Sequence, residues 1–150
     1  MYYSSMKQAS HLTNTAGYML SKLGQAVTEE FAERLRKLGL RPRHCGLLAA
    51  IRSMPMTSQL ALGQALNVVP SAIVPMIDDL EALGAIIRVP DEADRRRYAI
   101  QLTPKGAALL QQATAIALKL DDVMLGSLEK DERETLHRLL DKLSVRPPGR

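Results

Sequence analysis

Across residues 58–102 the spacing of apolar side chains changes from the three-and-four step of a helix to the two-step of a strand, with short turns between the pieces. Ser58 precedes residues 59–66, and its hydroxyl can accept from the free N–H groups of a first helical turn. Leu62 and Leu66 share one face of that helix. Asn67 tolerates the left-handed conformation that closes a helix. Val68 and Val69 leave a very short connection, and Pro70 with Ser71 opens a second helix, where the missing proline N–H costs nothing.

In that second helix Ile73, Ile77, Leu80 and Leu83 form the stripe expected to be buried. Ser71, Pro75 and Asp78 lie opposite, flanked by Ala72 and Val74. Pro75 removes one hydrogen bond, but the carbonyl it affects is that of Ser71 in the first turn, so a local bend is expected rather than a break. Two helices joined by so short a turn resemble a helix-turn-helix. After Gly84, residues 86–89 are short and β-branched. Residues 90–96 form a charged turn, and residues 97–102 alternate, with Tyr98, Ile100 and Leu102 on one side. This is a β-hairpin with a long loop. Thr103 and Pro104 then cap and restart a helix.

The chain has 150 residues, enough for a single domain with one core and an association element. Its 46% hydrophobic content argues against disorder. The sequence shows no apolar run able to span a bilayer and no signal-peptide pattern, so a cytoplasmic protein without a membrane partner is expected. The net charge of +4 permits polyanion binding without requiring it. Arg34, Arg36, Lys37, Arg41, Arg43 and Arg52 fall in a stretch without any acid. One cysteine, Cys45, excludes an internal disulfide. His11, His44 and His137 are too scattered for a metal site. With no phosphate-binding glycine loop and no nucleophile elbow, neither an enzyme nor a cofactor is expected.

Outside the central stretch, Leu12, Ala16, Met19, Leu23, Val27, Phe31, Leu35 and Leu38 predict a long helix beginning near His11 and stopped by Gly39. Pro42 starts another, with Leu47, Leu48 and Ile51 inward. Leu109, Ala113, Ile116, Leu120, Val123 and Leu125 to Leu128 mark a long helix that Gly126 weakens. A final helix carries Leu136, Leu139, Leu140 and Leu143 on one side. The first residues, up to about Lys7, are expected to be loose and residues 146–150 frayed. The terminal helices expose stripes that one copy cannot bury, and two-fold pairing of two copies is the economical remedy.

The helix-turn-helix, the run LEALG and the hairpin DEADRRRYAIQLTPKG resemble the MarR family of winged-helix transcription regulators. Asp94 with Arg96, and Leu102, Thr103 and Gly106, fit that family's wing. The resemblance covers nearly the whole chain. It implies a mainly α fold with a small β-hairpin, in one domain over residues 1–150. Residues 41–102 would form the winged helix-turn-helix lobe, and residues 8–38 and 104–144 the dimerisation helices. A homodimer would then place two heads on a palindromic site of double-stranded DNA, with half-sites roughly 10 base pairs apart.

Ser58, Ser71, Ala72, Val74, Pro75 and Arg88 are expected DNA contacts, and in the major groove the second helix offers Ser71 as a polar group and only apolar surface at Ala72, Val74 and Pro75. Arg96 at the wing tip is expected in the minor groove, with Asp94 holding its guanidinium. Arg95 and Arg97 are expected on phosphates. The resemblance also implies a small-molecule pocket, for which Tyr18, Met19, Lys22, His44 and Leu48 are the candidates. Basic surroundings suggest an aromatic acid or acyl-CoA thioester as effector, releasing a repressor from DNA. In the family a Thr or Ser commonly caps the second helix. Arg41 stands there and cannot, so the helix start is expected to be weaker or to be capped from elsewhere.

Two rival functions fit the same chain. Arg43 and His44 could lower the thiol pKa of Cys45 and make it a redox sensor. Alternatively, the winged helix could serve protein contacts without DNA, against which the Asp94 and Arg96 wing argues.

Overall fold

Capping residues, glycines and prolines divide the described residues into six α-helices, two 3-10 turns and three short strands. The computed structural model describes residues 11–144, and the terminal segments expected to be loose lie outside the described residues. Helix α1 is Ala16–Leu35, and Thr15 caps it by accepting from the Tyr18 N–H at 3.3 Å. The helix therefore starts later than the apolar spacing predicts. Leu12 sits in a separate 3-10 turn, Leu12–Asn14. A second such turn, Arg36–Leu38, ends at Gly39, whose φ of +71° favours glycine.

Helix α2 is Pro42–Ser53, strand β1 Thr57–Ser58, α3 Gln59–Ala65 and α4 Pro70–Ala82. Ser58 Oγ accepts from the Ala61 N–H at 3.1 Å, which caps α3 as expected. Asn67 takes φ +52° and turns the chain into α4. Gly84, at φ +74°, leads into β2, Ile86–Pro90, paired with β3, Tyr98–Leu102. Helices α5, Pro104–Met124, and α6, Lys130–Ser144, complete the described chain. The sequence carried α5 on to Leu128. It stops at Met124 because Leu125 leaves the helix and a turn follows.

The sheet is a correction to the simple hairpin. It has three antiparallel strands in the order β1-β3-β2, with Thr57 opposite Ile100 and Ser58 opposite Ala99. As the central strand, β3 buries Ala99 as well as Ile100, although the two point to opposite faces. Tyr98, on the same side of the alternation as Ile100, is nevertheless 52% exposed, because it pairs with Pro90 at the open end of the ladder.

The core is aliphatic. Leu35, Leu47, Leu48, Ile51, Leu62, Ile73, Ile77, Leu80, Ile86 and Ile100 are all but inaccessible to solvent. They come from the end of α1, from α2, from both reading-lobe helices and from the sheet. Burial of such side chains contributes about 1.5–3 kcal/mol each. The stripe of α4 is therefore clamped against α2, and its opposite face is left outward.

The other helices are less complete. Of α1, only Leu35 is buried. Helix α6 buries nothing, although Leu139, Leu140 and Leu143 lie along it. No single helix among the described residues is long and apolar enough to cross a membrane.

Candidate nucleic-acid interface

Helix α4 presents Ser71, Ala72, Val74, Pro75 and Asp78 to solvent. Its first two turns carry no charge. The helix continues through Pro75 to Ala82. The carbonyl that Pro75 leaves without its helical partner belongs to solvent-exposed Ser71, where water can satisfy it. A smooth, neutral tip of this kind can enter a groove without bringing a carboxylate against phosphate.

The wing loop is built from its own acids. The Asp91 N–H donates to the Arg97 carbonyl and the Arg97 N–H to the Asp94 carbonyl, both at 2.9 Å. Asp91 Oδ1 accepts from the Ala93 N–H at 2.9 Å. Asp94 Oδ1 accepts from the backbone N–H of Arg96 at 3.0 Å, and Asp94 Oδ2 lies 3.8 Å from Arg97 Nε. This corrects the expectation that Asp94 holds the Arg96 guanidinium. A carboxylate two residues earlier is placed for the main-chain N–H, as in an Asx turn. Arg95, Arg96 and Arg97 are exposed, so their charges are free to meet a polyanion.

Arg88 joins the wing to α4. It bonds to Asp78 and, at 2.9 Å, to Glu81. Its pKa is raised, first by the Asp78 hydrogen bond. Arg88 also lines a cleft with Ser58, Arg97 and Tyr98. The outward face of α4 and the arginine-bearing loop thus share one side of the molecule. The acids of α4, which could repel phosphate, are already engaged.

Asp79 faces the other way around α4. His44 Nε2 lies 3.1 Å from Asp79 Oδ2, and Arg43 Nη2 lies 3.9 Å from the same oxygen. His44 Nδ1 accepts from the Arg41 N–H at 3.1 Å, supplying the cap that Arg41 itself cannot. Both ring nitrogens are therefore used, and His44 is 4% exposed. Burial lowers its pKa, against the opposing pull of Asp79. The sequence held no signal for this tie, which joins residues 35 positions apart.

The pocket candidates separate. His44 and Leu48 are buried in the lobe, Tyr18 is half-buried, and Met19 and Lys22 are exposed on the first turns of α1. The protomer's core begins about 20 Å further along that helix, at 1.5 Å per residue, where α1 buries Leu35. None of the five lines the clefts described here. The redox reading is also corrected. Burial pushes the Cys45 thiol up to about 11, opposite to the lowering expected from Arg43 and His44, and its Sγ is directed at the Arg41 carbonyl, 3.7 Å away.

Comparison with known proteins agrees with this geometry. The MarR family profile matches residues 41–98, the span from the start of α2 to the wing. A protein of Thauera aromatica named for regulation of the hcr operon is 34% identical over 128 residues, 85% of this chain and 77% of that one. The HTH-type transcriptional repressor NicR of Pseudomonas putida is 30% identical over 132 residues, 88% of this chain and 84% of the relative. A variant of MarR from E. coli, solved with operator DNA, superposes with a TM-score of 0.75 at 28% identity, covering 89% of this chain and 99% of that one. The chain belongs to the MarR family of winged-helix, DNA-binding transcription regulators.

Proposed function

We propose that the protein is a homodimeric repressor that seats α4 in the major groove of a palindromic operator and its wing in the adjoining minor groove. The observation that carries this reading is the shared side of the molecule. Helix α4 has an uncharged, exposed face at Ser71 to Pro75, the wing carries three exposed arginines, and Arg88 at the base of the wing is bonded to Asp78 and Glu81 of α4. Arg96 is the minor-groove residue, and Arg95 and Arg97 neutralise phosphates. Ser71 supplies the polar contact of the helix tip, while Ala72, Val74 and Pro75 meet thymine methyl groups.

The second copy is supported by what one copy leaves bare. Met19, Leu20 and Leu23 on α1, Leu118 and Val123 on α5, and Leu139, Leu140 and Leu143 on α6 are all exposed. Apolar rows of this extent on three terminal helices mark an association surface. Control by a small anion is supported by a cleft of about 750 Å³ between α1 and α5, where Lys37 and Lys119 join Arg34 and Arg36, which are paired with Glu30 and Glu33. An aromatic acid or acyl-CoA thioester carries the complementary charge.

The test is a fluorescence-anisotropy titration against duplexes from upstream of the protein's own gene, run at several salt concentrations. Tight, salt-dependent binding to one palindromic segment is expected. Binding no stronger than to an unrelated duplex would remove the operator reading. Adding aromatic carboxylates or their CoA thioesters is expected to release the DNA, and affinity unchanged by either class would remove the effector.

A further inference from the structure

We infer that His44 is a positioning residue for operator recognition, fixing how α4 is rolled about its own axis by tying it to the start of α2. This rests on the reading of α4 as the groove-entering helix.

The buried aliphatic stripe of α4, Ile73, Met76, Ile77 and Leu80, holds the helix down and sets which face points outward. What remains is the fine adjustment of its roll. That adjustment comes from polar ties. Asp78 and Asp79 are adjacent and therefore point about 100° apart around the helix, at 3.6 residues per turn. Asp78 is held by Arg88 on the wing side, and Asp79 by His44 on the α2 side. Rotating α4 in either direction breaks one of the two. Base-edge contacts need side chains placed to within about 0.5 Å, so the roll matters to specificity.

His44 suits the task because its ring is rigid and bonded at both ends. The Arg41 N–H is an obligate donor, so Nδ1 must be bare and Nε2 must carry the proton given to Asp79. The charged groups facing the ring are Asp79 on α4 and Arg41 and Arg43 at the start of α2. Arg43 approaches Asp79 no closer than 3.9 Å and cannot replace the imidazole bond. Arg41 follows Gly39 by two residues, so the tie sits at the joint between the long α1 and the lobe.

Two substitutions divide the ring's roles. In His44→Asn the amide oxygen can still accept from Arg41 but the side chain stops short of Asp79. In His44→Gln the amide N–H can reach Asp79 but the cap on Arg41 is lost. The readout is the ratio of operator affinity to affinity for an unrelated duplex, with the melting temperature as control. His44→Asn is expected to lower that ratio about tenfold, while its melting temperature falls no further than that of His44→Gln, since each variant loses one of the ring's two hydrogen bonds. His44→Gln is expected to melt lower and keep its ratio. A wild-type ratio in His44→Asn, or a ratio falling in step with melting temperature in both variants, would overturn the inference.

Should the wild-type protein prefer no duplex, the operator reading fails on its own. The tie is then still decided by ¹⁵N NMR of the free protein. A protonated Nε2 that becomes exchange-labile in Asp79→Ala supports the tie, and a ring protonated at Nδ1 overturns it.

Discussion

The carboxylate of Asp78 in α4 is bonded to the guanidinium of Arg88 in β2, and the same guanidinium reaches Glu81 at 2.9 Å. One arginine thus compensates two acids on the helix proposed to enter the groove. The Asp78 and Glu81 side chains are largely exposed, so solvent screening leaves the network with about 0–1 kcal/mol of folding stability. Its larger effect is on binding. Arg88→Ala uncovers two carboxylates beside the phosphates and frees the wing base. Operator affinity is expected to fall about tenfold or more at low salt and less at high salt, where the repulsion is screened. Anisotropy titrations at two ionic strengths, with urea unfolding alongside, check this. Arg88→Ala/Asp78→Ala should recover part of the loss.

The wing separates charge from loop order. Arg96→Ala is expected to weaken operator binding strongly. Arg95→Ala and Arg97→Ala should each flatten the dependence of log affinity on log salt by about one, as a phosphate contact does. Asp94 acts through the main chain, since its Oδ1 accepts from the Arg96 N–H at 3.0 Å. Asp94→Asn keeps an acceptor there and is expected to bind nearly as well as wild type, whereas Asp94→Ala loosens the loop and binds less well. Equal losses in the two Asp94 variants would show that its charge, not its turn, is what matters.

The α4 stripe, the capping roles of Ser58 and Thr103, the left-handed turn at Asn67 and the charged hairpin were legible because each is a local pattern. Features joining distant segments were not. Strand β1 is two residues long, and it becomes a strand only when Thr57 meets Ile100, far along the chain. His44 lies three residues after Arg41, at the local spacing of a capping box, but the bond that holds its ring comes from Asp79, on another helix 35 positions away. Cys45 shows the opposite failure. Neighbouring basic residues suggested a lowered pKa, but burial, which sequence proximity does not report, raises it, and only a backbone hydrogen bond opposes that rise. The pocket candidates came from resemblance alone, and the fold sets Tyr18, Met19 and Lys22 on the bare part of α1.

Gly106 tests the joint between the sheet and α5. A Cβ there would meet the Ala85 carbonyl oxygen at 2.0 Å and Leu102 Cδ1 at 2.8 Å. The carbonyl is backbone and cannot turn aside. It is also fixed, because it accepts from the Thr103 N–H at 3.0 Å. Thr103 Oγ1 in turn donates to the Gly84 carbonyl at 2.6 Å and accepts from the Gly106 N–H at 3.0 Å. Gly106→Ala is expected to destabilise the fold by about 1–3 kcal/mol or more, the usual cost of overpacking. Urea unfolding should show a lower midpoint with an unchanged slope.

Stability should also depend on pH through His44. Its folded-state pKa lies below the ordinary 6.5, chiefly because of burial. As pH falls below 6.5 the unfolded chain takes up a proton that the folded chain does not, so stability declines. The decline from this group ends once pH passes the lowered folded value. Above 6.5 both states are neutral and the group adds no slope. His44→Gln removes the titration, so melting curves of wild type and variant, compared from pH 7.5 downward, should converge as pH drops.

The exposed leucines of α6 give the most direct test of pairing. Leu139 and Leu143 are 46% and 57% exposed and lie one turn apart, on a helix that buries nothing against its own chain. A charge on that row costs a monomer little, since it faces water in any case. In a paired protein it would be buried opposite apolar side chains without a partner, which is strongly unfavourable. Leu139→Glu/Leu143→Glu is therefore expected to sediment as a folded monomer with a near wild-type circular dichroism spectrum. Each head would then bind its half-site alone. Linking two heads raises overall affinity by about 10²–10⁴-fold, so operator binding should fall by that factor. A variant that remains dimeric in sedimentation, or a monomer that holds the palindrome as tightly as wild type, would rule out α6 as the element that brings the two heads to one site.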